Sequence, residues 1–384
     1  MRPLKLVFFP TLGGVLPSIL DDIKNALEKS GHITAYFPLL MPGHCFDYQI
    51  AIDFCESFKP DYVFMIGTNG FISFPETGTY FFEEQQIPYI SLNFDFPYIF
   101  LCDNSHSYQY LKAIIIWDKY YVSLFKKAGF ENVYYMPLAT NPERFIPRQL
   151  NKMMDLSFVG FVENEKVLNS RLRELSFQDQ ACCDWAIKTY LKEQYPNLYE
   201  IVAGYLCEEF HISKISDYPN YRDIYYIAES KLNTLLRKQI IHRMSSHFHV
   251  TVFGNKIWEN INNDKLKLKP SVTYDTLPIV YSQSKINLNI TAPQLVTTIN
   301  QRMFDIGATR NFVLSDYREG LFEYFDEGEF VVYHDKKDLF DKATYYLKHD
   351  MSRDIIAEKL YQKVLSCHTW AHRVVEIEKI ISKL

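Results

Sequence analysis

Short apolar stretches that end in glycine or polar residues recur along the N-terminal part of the chain, and helical patterns separate them. The first runs from Leu4 to Phe9 and ends in a Gly-Gly turn, after which an amphipathic stretch stops at Gly31. Further predicted strands are 33–38, 60–66, 87–92, 114–117 and 133–136. Strands that alternate with helices form a parallel sheet, so this pattern predicts an α/β fold.

Length and charge limit the class of protein. A chain of 384 residues can form two α/β domains, each with its own core. The net charge of −5 argues against non-specific nucleic-acid binding, which needs a basic surface. Seven cysteines without a CxxC pair indicate reduced thiols in a cytoplasmic protein and give no metal signature. No apolar run is long enough to span a bilayer, so we expect no transmembrane segment.

The chain is predicted to contain two Rossmann-like domains and a terminal helix. Residues 1–145 form the first domain, and the proline-rich stretch 138–147 reads as a linker. Residues 146–366 form the second domain, whose segment of about 176–230 is predicted to be an inserted helical subdomain. Residues 367–384 form a helix with an apolar stripe, which we expect to cross back to the first domain.

The stretch 282–316 has the pattern strand, loop, helix, strand. The sequence TINQ at 298–301 has capping-box spacing, so a helix is predicted to start there. On that helix Thr298, Arg302 and Asp305 share one face, at the point where an α/β fold binds phosphorylated ligands. The alternative is a solvated helix face with an Arg–Asp pair at i,i+3.

Residues after the strands of the first domain line up along one edge of its predicted sheet. They include Gly13, Gly14, Asp95 and Asp118, and His44 lies in a loop before the second helix. Asp95 is the best-placed candidate for a general base, whereas Asp118 and His44 are weaker ones. The alternatives are that the glycines only permit close strand–helix packing, that Asp95 caps a turn and that His44 is an ordinary loop histidine.

Three stretches resemble the spore maturation protein CgeB family of GT-B glycosyltransferases. They are NVYYMPLATNPERF at 132–145, DLSFVG at 155–160, and INQRMFDIGATRNFVLSDYREGLFEYFDEGEFVVYHDKKD at 299–338, which is followed by HTWAHR at 368–373. The resemblance implies two Rossmann-like domains that face across a cleft, with a nucleotide-sugar donor held mainly by the C-terminal domain.

The resemblance also implies roles for individual residues. The family's arginine falls on Arg302 and its ribose-binding glutamate on Asp305, which is one methylene shorter. Gly160 takes the place of the glycine turn near the diphosphate, and Gly254 that of the turn beside the base. A further family arginine falls on either Arg171 or Arg237.

These features predict a glycosyltransferase that moves a sugar from a nucleotide-sugar donor, with a UDP-sugar favoured, to a protein or glycan acceptor. A helix N-terminus, glycine amides and Arg302 can stabilise a diphosphate leaving group, so no metal or other cofactor is expected. Two alternatives stay open: a nucleotide-sugar epimerase and a non-catalytic two-domain sugar-binding protein. Aromatic residues of the insertion, including Trp185, Tyr190 and Tyr199, and those near 98–110 are expected to frame the acceptor side or a homodimer contact.

Overall fold

The computed structural model describes residues 2–38, 46–96, 100, 108–193, 196–261 and 263–384. The chain forms two compact units. The first comprises Met1–Ala139 and His368–Leu384, and the second comprises Thr140–Cys367. The stretch predicted to be a linker, 138–147, therefore includes the point at which the chain passes from the first unit to the second.

The first unit contains a parallel six-stranded sheet with the strand order β2-β1-β3-β4-β5-β6. Its strands are β1 (Lys5–Phe8), β2 (Ile33–Tyr36), β3 (Tyr62–Ile66), β4 (Tyr89–Asn93), β5 (Leu111–Ile116) and β6 (Val133–Tyr135). Its helices are α1 (Leu16–Lys29), α2 (Tyr48–Phe58), α3 (Phe81–Glu84) and α4 (Lys119–Lys127). The predicted strands and their alternation with helices are confirmed.

Aromatic residues fill much of the core of this unit. Phe37 stacks on Phe9 with ring centroids 5.3 Å apart, and the edges of Phe81 and Phe82 meet the Phe37 ring. All four side chains are buried. The high aromatic content of the N-terminal half thus contributes to the core, because each ring buries a large apolar area.

The C-terminal helix α14 (Trp370–Ile381) belongs to the first unit. Glu378 on this helix accepts hydrogen bonds from Ser30 (2.6 Å) and pairs with His32 (3.0 Å), just after α1. Arg373 donates to the backbone carbonyls of Pro137 (2.9 Å) and Leu138. Polar contacts therefore attach the last helix to the turn after α1 and to the segment after β6.

The second unit contains another parallel six-stranded sheet, with the order β12-β11-β10-β7-β8-β9. Its strands are β7 (Met154–Val159), β8 (Val250–Gly254), β9 (Leu266–Pro270), β10 (Ser284–Asn289), β11 (Val313–Asp316) and β12 (Val331–Tyr333). The helices after β8 are α9 (Leu277–Ser282), α10 (Gln301–Ala308), α11 (Leu321–Tyr324), α12 (Lys336–Lys348) and α13 (Asp350–Cys367). The apolar runs of the central strands form its core, because both faces of a parallel sheet are covered by helices.

Helices separate β7 from β8, in agreement with the predicted insertion. They are α5 (Glu165–Glu174), α6 (Phe177–Tyr190), α7 (Leu198–Phe210) and α8 (Tyr221–Ser245). The long helix α8 starts inside the predicted insertion and runs on to the loop before β8, so the insertion is continuous with a helix of the sheet layer. No helix in the part of the chain that the structure describes is long and apolar enough to cross a membrane.

The predicted start of the helix after β10 is wrong by a few residues. Helix α10 begins at Gln301, and Asn300 before it is extended and makes no side-chain cap. Thr298 forms no capping box because its hydroxyl instead pairs with the Tyr324 hydroxyl, 3.1 Å away. The segment 291–300 is thus an irregular loop held by the tertiary structure.

Candidate active site

Two glycines predicted to bind a ligand, together with two polar residues, lie at the carboxyl ends of the central strands of the second sheet. Gly160 follows β7, Gly254 ends β8, Asn289 ends β10 and Asp316 ends β11. Beside them lies a cavity of about 580 Å³, between the strand ends and the end of the inserted helix α6. This edge is where parallel α/β sheets bind their ligands.

Two arginines share one aromatic ring at this edge. The guanidinium carbon of Arg302 on α10 lies 5.5 Å from the centroid of the Phe158 ring, and that of Arg237 on α8 lies 5.8 Å from it. Arg302 donates to the side-chain oxygen of Asn289 (2.7 Å), and Arg237 donates to the carbonyl of Phe161 (2.6 Å). Among the described residues, neither guanidinium forms an ion pair with a carboxylate within 4 Å.

The electrostatics of this pair favour an anion. Burial, and then the neighbouring charge of Arg302, lower the pKa of Arg237 to about 10. Burial also lowers the pKa of Arg302. Two like charges close together are costly, and a bound anion would relieve that cost. The planar guanidinium also matches the oxygens of a phosphate group in geometry. We refer to Arg237 and Arg302 as the arginine pair.

The resemblance placed a further family arginine on either Arg171 or Arg237, and these two residues have different positions in the structure. Arg237 lies beside Gly160, and its guanidinium is 3.8 Å from where a Cβ on that glycine would be. Arg171 lies on the surface of α5, over the Tyr226 ring. Only Arg237 is therefore placed with Arg302.

Thr298 and Asp305 are buried, 2% and 1% exposed, so the alternative of a solvated helix face is wrong for both. The Asp305 carboxylate accepts hydrogen bonds from the Thr140 hydroxyl (2.8 Å), the Tyr274 hydroxyl (2.9 Å) and the Gln301 amide (2.9 Å). Of the three residues predicted to share a ligand-binding face, Arg302 alone is partly exposed.

The two glycines of this edge are close to each other. A Cβ on Gly254 would lie 2.5 Å from the carbonyl oxygen of Gly160 and 2.6 Å from the indole nitrogen of Trp258. That nitrogen donates to the Gly160 carbonyl (2.9 Å). Glycine is required at position 254 for this close approach, which fixes the ends of β7 and β8 together.

Sequence reasoning assigned no role to a polar cluster at the end of β11. Asp316 accepts from the backbone and hydroxyl of Thr291 (3.0 and 2.7 Å) and from Arg318 (3.3 Å). Arg318 also donates to the carbonyl of Leu295 (3.1 Å), and it lines the cavity together with Tyr190 of the insertion. The signal that could have found it is a charged pair, Asp-x-Arg, directly after a buried strand. The contribution of Tyr190 could not be read from the sequence, because it is more than a hundred residues away.

In the first unit, the predicted acceptor-side residues have different surroundings. Gly13 and Gly14 have φ of +85° and +57°, with no atom within 4 Å of where a Cβ would be. The turn after β1 thus requires glycine for its backbone conformation, and close strand–helix packing is not the reason.

Asp95 lies exposed just after β4. Asp118 is fully buried and caps α4 by accepting from the Tyr120 backbone (3.0 Å). His44 lies outside the described residues.

Comparison with known proteins agrees with this architecture. Residues 234–379 match a family model described as glycosyl transferase-like. That range includes the arginine pair, Gly254, Thr298 and Asp305. A search of curated protein sequences found no match.

Solved structures with low sequence identity share the fold over the full chain. Sucrose-phosphate synthase from Thermosynechococcus elongatus is 9% identical, with a TM-score of 0.56 and coverage of 100% of this chain and 99% of the other. HepE of Anabaena, solved with UDP-glucose, is 9% identical, with a TM-score of 0.54 and coverage of 99% and 100%. The catalytic domain of starch synthase IV from Arabidopsis thaliana, bound to ADP and acarbose, is 10% identical, with a TM-score of 0.55 and coverage of 100% and 99%. The chain therefore has the two-domain α/β fold of GT-B glycosyltransferases, and its residues 234–379 match the glycosyl transferase-like family.

Proposed function

We propose that this protein is a CgeB-like glycosyltransferase that transfers a sugar from a nucleotide-sugar donor, a UDP-sugar in the first instance, to a hydroxyl group of a protein or glycan acceptor. The observation that carries the proposal is the arginine pair at the carboxyl edge of the second sheet. Two guanidinium groups without a carboxylate partner among the described residues form a site for a diphosphate. The family match over 234–379 and the UDP-glucose bound by HepE support the same reading.

The arginine pair suits the leaving group of such a reaction. In glycosyl transfer the bond between the anomeric carbon and the diphosphate oxygen breaks, and negative charge develops on that oxygen. Fixed cations beside the developing charge lower the barrier, because they need no reorganisation when the bond breaks. Both guanidiniums are held in place by hydrogen bonds to Asn289 and to the Phe161 carbonyl, so they are preorganised for this role.

A carboxylate is needed to take up the proton of the acceptor hydroxyl. We propose Asp95 for this role, because it is an exposed carboxylate at the carboxyl end of β4. The proton moves to Asp95 while the acceptor oxygen bonds to the anomeric carbon, and the nucleoside diphosphate leaves. Asp118 is buried as a helix cap, and we propose no chemical role for it.

We expect transfer without an added metal ion, because the two guanidiniums can neutralise much of the diphosphate charge. The rate should therefore be the same in EDTA as in Mg²⁺. A rate that collapses in EDTA and returns with Mg²⁺ would show that the arginine pair is not sufficient.

Nucleotide binding by single-site variants tests the proposal. Titration calorimetry with UDP, GDP and dTDP, and with their sugar conjugates, should identify one nucleotide that binds the wild-type protein. Arg302→Ala should weaken that binding by about 1.5–3 kcal/mol, the usual scale of a charge-assisted contact. Arg237→Ala should act in the same direction.

Arg171→Ala is the matched control, since it removes an exposed arginine of the same unit that lies over Tyr226. It should leave nucleotide affinity unchanged. If Arg302→Ala and Arg237→Ala bind nucleotide as tightly as the wild type, the arginine pair is not the donor site and the proposed function loses its main support.

A further inference from the structure

The cavity beside the arginine pair has two walls from different parts of the second unit. One wall consists of residues that follow β10, β11 and β12, and the other consists of the inserted helices α6 and α8. Its volume of about 580 Å³ lies within the range of pockets that bind small molecules. The insertion thus completes a pocket that the sheet alone would leave open.

The polar side of the cavity presents ordered hydrogen-bonding groups. Arg318 donates through Nε to Asp316 and through Nη1 to the Leu295 carbonyl, and Tyr190 lines the cavity with it. A guanidinium has five N–H donors, so further donors of Arg318 are left for a ligand. Thr291 and Asp316 line the cavity next to Arg318. Fixed donors and acceptors side by side suit a ligand with several hydroxyl groups.

The remaining lining argues against an anionic ligand. Leu236, Ile240 and Ile290 form an apolar wall. Glu193 and Glu319 add two exposed carboxylates with no ion-pair partner among the described residues. The charge of Arg318 is already offset by Asp316. The cavity is therefore net negative and amphipathic, in contrast to the neighbouring arginine pair.

We propose that this cavity binds an uncharged sugar ring, and that Tyr190 and Leu191 of the insertion determine which sugar fits. The C–H face of the ring packs on the apolar wall, and its hydroxyls bond to Arg318, Asp316 and Thr291. This inference rests on the proposed function and deepens it, since it names the class of sugar. A uronic acid or a phosphorylated sugar is rejected by the two carboxylates.

Continuity with the arginine pair supports this assignment. Asn289 accepts from Arg302 through its side chain (2.7 Å) and from the Tyr333 hydroxyl through its carbonyl (3.2 Å). Tyr333 lines the cavity, and Leu236 of the apolar wall directly precedes Arg237. A diphosphate on the arginine pair therefore lies next to the space proposed for the sugar.

Two variants test the cavity without touching the arginine pair. Leu191→Trp fills the cavity from a side chain that is 42% exposed, so the fold should tolerate it. Tyr190→Phe removes only the hydroxyl of a residue that lines the cavity together with Arg318. Lys188→Trp is the matched control, because Lys188 is exposed on the same helix but does not line the cavity.

The choice of ligands distinguishes a sugar of the donor from a sugar of the acceptor. Each full-length variant is titrated with UDP and GDP, with UDP-glucose, UDP-N-acetylglucosamine and GDP-mannose, with UDP-glucuronic acid, and with maltotriose in the presence and absence of UDP. We expect at least one uncharged sugar ligand to bind at least tenfold more weakly to Leu191→Trp and at least threefold more weakly to Tyr190→Phe. Binding of UDP and GDP alone should not change, and Lys188→Trp should match the wild type.

If the variants lose affinity for sugar nucleotides alone, the donor sugar lies in the cavity. If they lose affinity for maltotriose alone, the acceptor lies there. The proposal is overturned if no uncharged sugar ligand responds to Leu191→Trp, or if UDP-glucuronic acid binds as well as UDP-glucose. The proposed function fails on a separate result, namely that UDP and GDP bind to Arg302→Ala as tightly as to the wild type.

Discussion

Asp305 offers the sharpest test of how the candidate site is held together. Its carboxylate is 1% exposed and, among the described residues, accepts hydrogen bonds from Thr140, Tyr274 and Gln301. The resemblance would give this position a contact with ribose. The structure instead surrounds it with protein donors, so we predict that replacing Asp305 acts first on the stability of the second unit.

The magnitude follows from the number of bonds lost. A hydrogen bond to a charged group contributes about 1.5–3 kcal/mol, and donors left unpaired in the interior add a further cost. Such contributions do not add in full, because donors left unpaired can find other partners. We therefore expect Asp305→Ala, which removes these bonds, to lower the free energy of unfolding by about 3–5 kcal/mol, the usual loss when one partner of a buried pair is removed. Asp305→Asn keeps one oxygen for two donors and offers its amide to the Tyr274 hydroxyl, so we expect a loss of about 1–2 kcal/mol.

Thermal unfolding of the full chain measures this loss. For a unit of this size, 1 kcal/mol corresponds to a shift in Tm of about 2–4 °C, so Asp305→Ala should lower the Tm by roughly 6 °C or more. Asp264→Ala is the control, because Asp264 is exposed in the same unit. An unchanged Tm for Asp305→Ala, combined with a loss of nucleotide affinity, would refute the structural role and assign Asp305 to the ligand.

Two further predictions concern packing and pH. Gly320→Ala should destabilise the second unit by about 1–3 kcal/mol or more, since its Cβ would lie 1.7 Å from the Thr297 carbonyl oxygen. Hydrogen exchange should show lower protection around α11. Glu378→Gln should reduce the protection of the α14 amides from hydrogen exchange at neutral pH. It should also make that protection change less as the pH is lowered. Hydrogen bonding to Ser30, opposed by burial, holds the pKa of Glu378 below its ordinary value of 4.5, so its stabilisation is present above pH 4.5 and lost as the pH falls through the folded-state pKa.

Each of these has a control and an outcome that would contradict it. Gly204→Ala adds a methyl group to open space on helix α7 and should be neutral or slightly stabilising, because alanine favours helix. A Gly320→Ala protein as stable as Gly204→Ala would show that the 297–298 loop can move away. For Glu378, equal loss of α14 protection with acid in the variant and the wild type would exclude this carboxylate as the group responsible.

The sequence alone predicted the α/β class, the strands of the first sheet, and β10 and β11 of the second. A buried strand of a parallel sheet is a continuous apolar run, and glycines or polar residues mark where the run ends. Strand β9 was not predicted, because its leucines alternate with lysines and most of it is exposed. The inserted helices were also predictable, since helical periodicity does not depend on what the helix packs against. Arg302 could be selected because it lies in the first turn of the helix that follows a buried strand.

Tertiary structure alone decided the surroundings of each candidate residue. Thr298 had the spacing of a cap, yet it bonds to the Tyr324 hydroxyl, which is 26 residues away. The choice of Arg237 over Arg171 depended on the path of a long inserted helix, which no local pattern encodes. Likewise, Tyr190 lines one cavity with Arg318 only because the insertion folds over the strand ends. Periodicity reports which face of an element is apolar, whereas the partners of a polar side chain depend on distant segments brought together by folding.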